Sequence, residues 1–308
     1  MAWRLPLLLW LLPLGCGLAL ATEPPIVDLE FAPSGKSVLA CSQSGVQVLA
    51  WPSLKQTKMV SLEDVPNLHC ISFSPSGSQI AIGGGTPSSS GEVCVYRLPD
   101  WKRVATLSRH SDSVMDLAWI NETTLVSASL DYEVVVWDIE SEKSKSVLKG
   151  HSRGVTSLAI AGDLLVSSGL DQSLRIWDQK SATLTRSLSI HTLPVHDLAT
   201  RPIATGLPMV ASASEDRSVR FWQPSIGRMV RFARLNAKPL SIKWMPSGDR
   251  IVAACTDGRL YLIDPDTVEI VDSAPAINGW AYCLAIHPTS NEIVVAGSGG
   301  QIAVRKFQ

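Results

Sequence analysis

His110-Ser-Asp-Ser-Val114, His151-Ser-Arg-Gly-Val155 and His191-Thr-Leu-Pro-Val195 are three versions of one phrase. Each runs on to a matching end: Asp131-Tyr-Glu-Val-Val-Val-Trp137, Asp171-Gln-Ser-Leu-Arg-Ile-Trp177 and Asp216-Arg-Ser-Val-Arg-Phe-Trp222. In every copy the Asp lies six residues before the Trp and a Ser lies ten before it, at Ser127, Ser167 and Ser212. The Trp residues are 40 and 45 positions apart. A repeat of this length is a supersecondary unit that needs its neighbours to cover it. Between the fixed residues run short, alternating, β-branched stretches broken by Gly, Pro, Ser and Asp, which predict strands and tight turns.

The four recurring residue types suit one hydrogen-bonded chain. An indole N–H only donates, a carboxylate only accepts, and His and Ser can do both. Buried polar groups are costly unless every member finds a partner, so such a set is kept whole or lost whole. The phrase, its period and the dipeptides Trp137-Asp138 and Trp177-Asp178 resemble the WD40-repeat β-propeller family. The resemblance implies an all-β, seven-bladed propeller with structural tetrads His110/Ser127/Asp131/Trp137, His151/Ser167/Asp171/Trp177 and His191/Ser212/Asp216/Trp222. Blade six keeps Asp257 but has Asn236 and Ile263 at the His and Trp positions. Ser, His and Asp could also form a hydrolase triad. Three copies at one period speak for a structural chain instead.

The N-terminus has a different character. Met1-Ala-Trp-Arg4 carries one positive charge, Leu5 to Leu14 is almost wholly apolar, and Ala19-Leu20-Ala21 offers small residues to a signal peptidase. This layout predicts a secretory signal peptide over residues 1–21. An uncleaved anchor or a lipidated Cys16 are the alternatives, and membrane contact is expected only in those cases. The remaining 287 residues give 41 for each of seven blades. The expected blades are about 22–62, 63–107, 108–148, 149–188, 189–233, 234–275 and 276–308. Blade seven ends with Gln301-Ile-Ala-Val-Arg-Lys-Phe307, a third strand, so that either this blade is three-stranded or the ring closes more loosely than usual.

With 27 basic and 28 acidic residues well mixed, the chain has no basic stripe, which speaks against nucleic-acid binding. Cys41, Cys70, Cys94, Cys255 and Cys283 fall in predicted strands, form no CxxC pair, and are expected to be small buried hydrophobes. Gly83-Gly-Gly-Thr-Pro-Ser-Ser-Ser-Gly91 is read as a surface loop inserted in blade two, and Arg201 to Pro208 as a stiff insertion in blade five. The Gly83–Gly91 run also resembles exported bacterial WD-repeat proteins, which implies a periplasmic or secreted protein.

The family offers partners its narrow-end face, built from the loops before strand one and the turns between strands two and three. The candidate partner-binding residues there are Leu130, Leu170 and Glu215, with Arg109, Arg153 and Leu193 nearby. An apolar and Arg-rich patch is what interface cores favour. The expected function is a non-catalytic scaffold for a protein or peptide partner, with no catalytic, cofactor-binding or metal-ligating residue. The alternative is a propeller hydrolase, oxidoreductase or cofactor carrier with its site at the central channel. That reading needs channel-facing carboxylates, His or a metal cluster. Three of the six His are already used in the tetrads.

Overall fold

The computed structural model describes residues 23–62, 65–202 and 206–307. The leader, residues 1–21, lies outside them, as do residues 203–205 of the blade-five insertion. The first strands of the repeats, such as Ile26–Phe31, Val114–Asn121 and Val155–Ala161, are each followed by hairpin-linked strands in simple antiparallel order. The result is seven sheets, six of four strands and one of three, arranged as a seven-bladed propeller. The three-stranded sheet is the last, Ala281–Ile286, Ile293–Gly297 and Ile302–Arg305. Among the described residues the only helical element is the short 3₁₀ turn Ser298–Gly300.

The strand period of two explains why the sheets stack. In blade three, Leu125, Val135 and Trp137 join a cluster with blade two, while Val126, Ala128, Val134 and Val136 join one with blade four. Both faces of the inner strands are therefore buried, and every neighbouring pair of blades shares a core of its own. The ring closes the same way: Ile26, Leu29 and Val38 of blade one pack with Cys283, Ala285 and Val294 of blade seven. His287 caps this closure, stacked on Trp51 at 5.5 Å and edge-on to Phe31 at 5.1 Å. All five described cysteines are free and buried inside these layers.

One expectation is corrected. Gly83–Gly91 is not a surface loop. Strands Gln79–Thr86 and Ser90–Arg97 run through it as one long hairpin. The glycines are there for space: a Cβ at Gly84 would sit 2.6 Å from the Asn67 carbonyl oxygen, and one at Gly91 would run into that of Asp112. In blade five, the described part of the insertion is anchored by Arg201, whose Nε donates to the Gly248 carbonyl and whose guanidinium lies over Trp244.

Candidate functional site

The tetrads form as complete chains. Trp137 Nε1 donates to Ser127 Oγ at 2.8 Å, His110 Nε2 is 2.7 Å from the same Oγ, and His110 Nδ1 is 2.8 Å from Asp131 Oδ2. The equivalent distances are 2.9, 2.8 and 2.9 Å in blade four and 2.8, 2.7 and 2.8 Å in blade five. Donor accounting fixes the protons. The indole fills one acceptor site of Ser Oγ, so the hydroxyl donates to Nε2, and Nδ1–H donates to the carboxylate. Backbone N–H groups of Ser111 and Glu133 also donate to Asp131. Desolvation opposes ionisation of Asp131, Asp171 and Asp216, but the histidine hydrogen bond and these further donors outweigh it and hold all three carboxyls below the usual range. The Ser–His–Asp order is that of a hydrolase triad. However, Ser127, Ser167 and Ser212 are wholly buried, and each hydroxyl is engaged by Trp, so no substrate carbonyl can reach them.

Each tetrad carries a loop and a turn to the same end of the ring. The turn between strands two and three hydrogen-bonds to the loop before strand one: Leu130 N–H donates to Ser113 O, Leu170 to Gly154 O, and Glu215 to Pro194 O. Leu130 and Leu170 converge from adjacent blades over Gly154, where a Cβ would meet Leu130 Cδ2 at 2.6 Å and Leu170 Cδ1 at 3.4 Å. Both are half-buried, so they form a shelf rather than two free tips. Leu193 is exposed beside them, as are Arg109 and Arg153. Arg109 is 3.9 Å from Glu133. Glu215 is not free: it pairs with Lys238 at 3.0 Å and with His196 at 3.2 Å. The same end carries residues the repeat pattern did not single out. Tyr132 is 50% exposed on a positive-φ turn position, and Trp280 is 51% exposed with its ring edge-on to Tyr282. Trp280 precedes the first strand of blade seven, where no intact tetrad marks the register.

The central channel was the larger omission. First strands from all seven blades line a cavity of about 650 Å³. Into it face Asp28, Glu30, Asp116 and Asp197, with Lys243. A bulge precedes the Asp position in the first strands of blades one, three and five, and re-aims its side chain. Each aspartate then ties its blade to the next. Asp28 accepts from Leu29 N–H and Ile71 N–H, both at 2.8 Å. Asp116 accepts from Leu158 N–H at 2.7 Å and Ser157 Oγ at 2.9 Å. Asp197 accepts from Ile242 N–H at 2.7 Å and Ser241 Oγ at 3.0 Å. Glu30 accepts from Phe73 N–H at 3.0 Å. These carboxyls touch the cavity and are half-buried by area, with the first strands of all seven blades around them. Desolvation pushes Asp28 up to about 7, Glu30 to about 8 and Asp116 to about 6, with neighbouring carboxylates adding to it and Lys243 opposing it. Lys243 makes no hydrogen bond or ion pair to a described residue; burial lowers its pKa, but the four carboxylates outweigh this and hold it raised. Among the described residues, no three His, Cys, Asp or Glu side chains converge to hold a metal ion. The channel carboxylates act as inter-blade fasteners.

The chain was compared with known proteins. A model of the DDB1- and CUL4-associated factor 12 β-propeller matches residues 43–159, and the WD domain, G-beta repeat, matches 142–178 and 182–223. Periodic tryptophan protein 2 of Arabidopsis thaliana is 27% identical over 73% of this chain and 25% of its own length. FIZZY-RELATED 1 of the same plant is 28% identical over 87% of this chain and 56% of its own. The periodic tryptophan protein 2 homolog of Dictyostelium discoideum is 24% identical over 78% and 26%. The chain thus spans from about a quarter to just over half of the length of these relatives. With the seven-bladed ring, the matches support the WD40-repeat β-propeller family.

Proposed function

We propose that this protein is a non-catalytic, exported scaffold that holds a segment of another protein on the narrow-end face of the propeller. The Leu130–Leu170 shelf over Gly154 supports this reading most strongly, because it sets apolar surface from two blades beside exposed Leu193 and Arg153. Interface cores combine apolar surface with Arg in this way, and a rigid frame lowers the ordering cost of binding. Arg109 and Glu215 form the polar rim, with Tyr132 and Trp280 as further aromatic contacts. The WD40 matches point to the same class of function, since such propellers generally bind proteins.

The test replaces Leu130, Leu170 and Arg153 together with Ala. Circular dichroism and thermal melting should stay native-like, while cross-links to a partner, mapped by mass spectrometry, should disappear from this face. Cross-links that persist unchanged would move the site elsewhere. The export reading rests on the composition of residues 1–21. Recovery of a mature form starting at Thr22 would support it, and an intact Met1 on the purified native protein would count against it.

A further inference from the structure

The charge balance at the proposed binding end specifies the partner's chemistry. Between blade three and blade five, each carboxylate at this end already has donors. Asp131, Asp171 and Asp216 are held by their histidines and by backbone N–H groups. Glu133 is 2.7 Å from Lys149, Glu215 is 3.0 Å from Lys238, and Asp112 accepts from the N–H groups of Ser88 and Ser113. Three exposed guanidiniums are left over. The side chains of Arg153, in the loop before blade four's first strand, of Arg217, on the positive-φ turn position of blade five, and of Arg234, opposite Ser218 at the end of that blade's fourth strand, make no hydrogen bond or ion pair with a described residue. Arg153 adjoins Gly154, over which Leu130 and Leu170 meet, and Arg217 sits on the turn of the next blade, whose entry loop carries Leu193.

We infer that this arc takes an extended acidic peptide segment, its Asp or Glu side chains on Arg153 and Arg217 and an apolar side chain between them on the leucine shelf. This inference rests on the narrow-end reading and adds to it the partner's chemistry. A guanidinium offers a planar pair of N–H donors that matches a carboxylate, and a bidentate pair fixes register as well as adding binding energy. A basic segment would leave both arginines facing like charge. A nucleic acid is a poor fit, because a few scattered cations, several of them already paired with carboxylates, release few counterions, and the channel behind the face carries carboxylates.

The test uses the full chain and two immobilised peptide libraries. One has Asp or Glu at varied positions around a fixed Leu; the other has Lys at the same positions. The acidic library should be retained at least about tenfold better, with the preference shrinking between about 50 and 300 mM salt. Arg153→Glu with Arg217→Glu should abolish retention of the acidic library and leave the melting curve in place. Equal retention of both libraries, or acidic retention that survives the double charge reversal, would overturn the inference. Acidic retention that survives charge reversal but is lost in Leu130→Ala/Leu170→Ala would retire the acidic partner and keep the face. Retention untouched by either pair of changes would retire both.

Discussion

The molecule holds two sets of carboxylates that differ only in their surroundings. In the tetrads, Asp131, Asp171 and Asp216 each receive a histidine N–H and backbone N–H groups, and they stay ionised below the usual range. In the channel, Asp28, Glu30 and Asp116 also receive backbone N–H groups, but they face one another across a confined space, with one lysine among four carboxylates. Desolvation then dominates, and they are pushed towards the protonated form. The same residue type serves as a fixed anion in one place and as a titratable fastener in the other. The difference lies in whether the donors outweigh desolvation, as in the tetrads, or fall short of it beside further acids, as in the channel.

The comparison breaks most severely if a tetrad loses its terminal donor. Trp177→Ala removes a side chain that is 2% exposed and leaves Ser167 Oγ without its indole donor. Cavity formation alone predicts a loss of about 3–5 kcal/mol in urea unfolding. Lys243→Met tests the other region. At pH 8 it should cost about 2–4 kcal/mol, because the carboxylates must lose the lysine among them or take up protons. At pH 5, where Asp28, Glu30 and Asp116 hold protons, the cost should fall below about 1 kcal/mol. A cost equal at both pH values would mean that Lys243 acts by packing alone.

The unmodified protein should show both regions in one stability profile. The channel groups have raised folded pKa values. Their stabilising contribution is complete below the ordinary carboxylate range and is lost as pH rises through about 6 to 8. The tetrad groups have lowered values. Their contribution is present above the ordinary range and is lost as pH falls below about 4. Stability against urea should therefore peak near pH 4 and decline on both sides. Asp171→Asn should remove part of the acid limb. It should cost about 1–3 kcal/mol at pH 7, since the amide cannot accept from His151, Ser152 and Ser173 at once.

The tetrads were legible because their members recur at fixed spacing, and that spacing also gave the propeller; the third strand of the last blade was read separately, from the alternating run Gln301–Phe307. The channel had a fainter signal. Ile26-Val-Asp-Leu29, Val114-Met-Asp-Leu117 and Val195-His-Asp-Leu198 share one pattern, but Cys70, Ser157, Ser241 and Cys283 occupy the matching position elsewhere. Simple alternation does not say which way that position points, because the bulge that re-aims it is set by pairing with strand two. The Gly83–Gly91 run was misread for the opposite reason. Its composition suits a loop, and only the close approach of neighbouring backbone explains why glycine is needed in a strand. The convergence of Leu130 and Leu170 was anticipated as a patch, but their mutual packing over Gly154 depends on distances between blades that spacing does not encode.

The smallest expected effect has the opposite sign. Glu30 is the channel carboxyl for which an amide is a fair replacement. One of its oxygens accepts from Phe73 N–H, and among the described residues no hydrogen bond engages the other. Glu30→Gln keeps an acceptor for Phe73 and turns an –NH₂ towards a cavity lined with acids, removing a carboxyl raised further than Asp28 or Asp116. At about pH 4 the wild-type side chain is largely protonated in the folded and the unfolded state alike, so the two proteins should unfold at nearly the same urea concentration. At pH 9 the wild type must ionise Glu30 beside Asp28, and the variant should be more stable by about 0.5–1 kcal/mol, within the range of ordinary single substitutions. A neutral substitution that destabilises a tetrad and stabilises the channel would show that charge is built into one region and tolerated in the other. Equal losses at both sites would mean that the channel carboxyls stay ionised and that Lys243 compensates them fully.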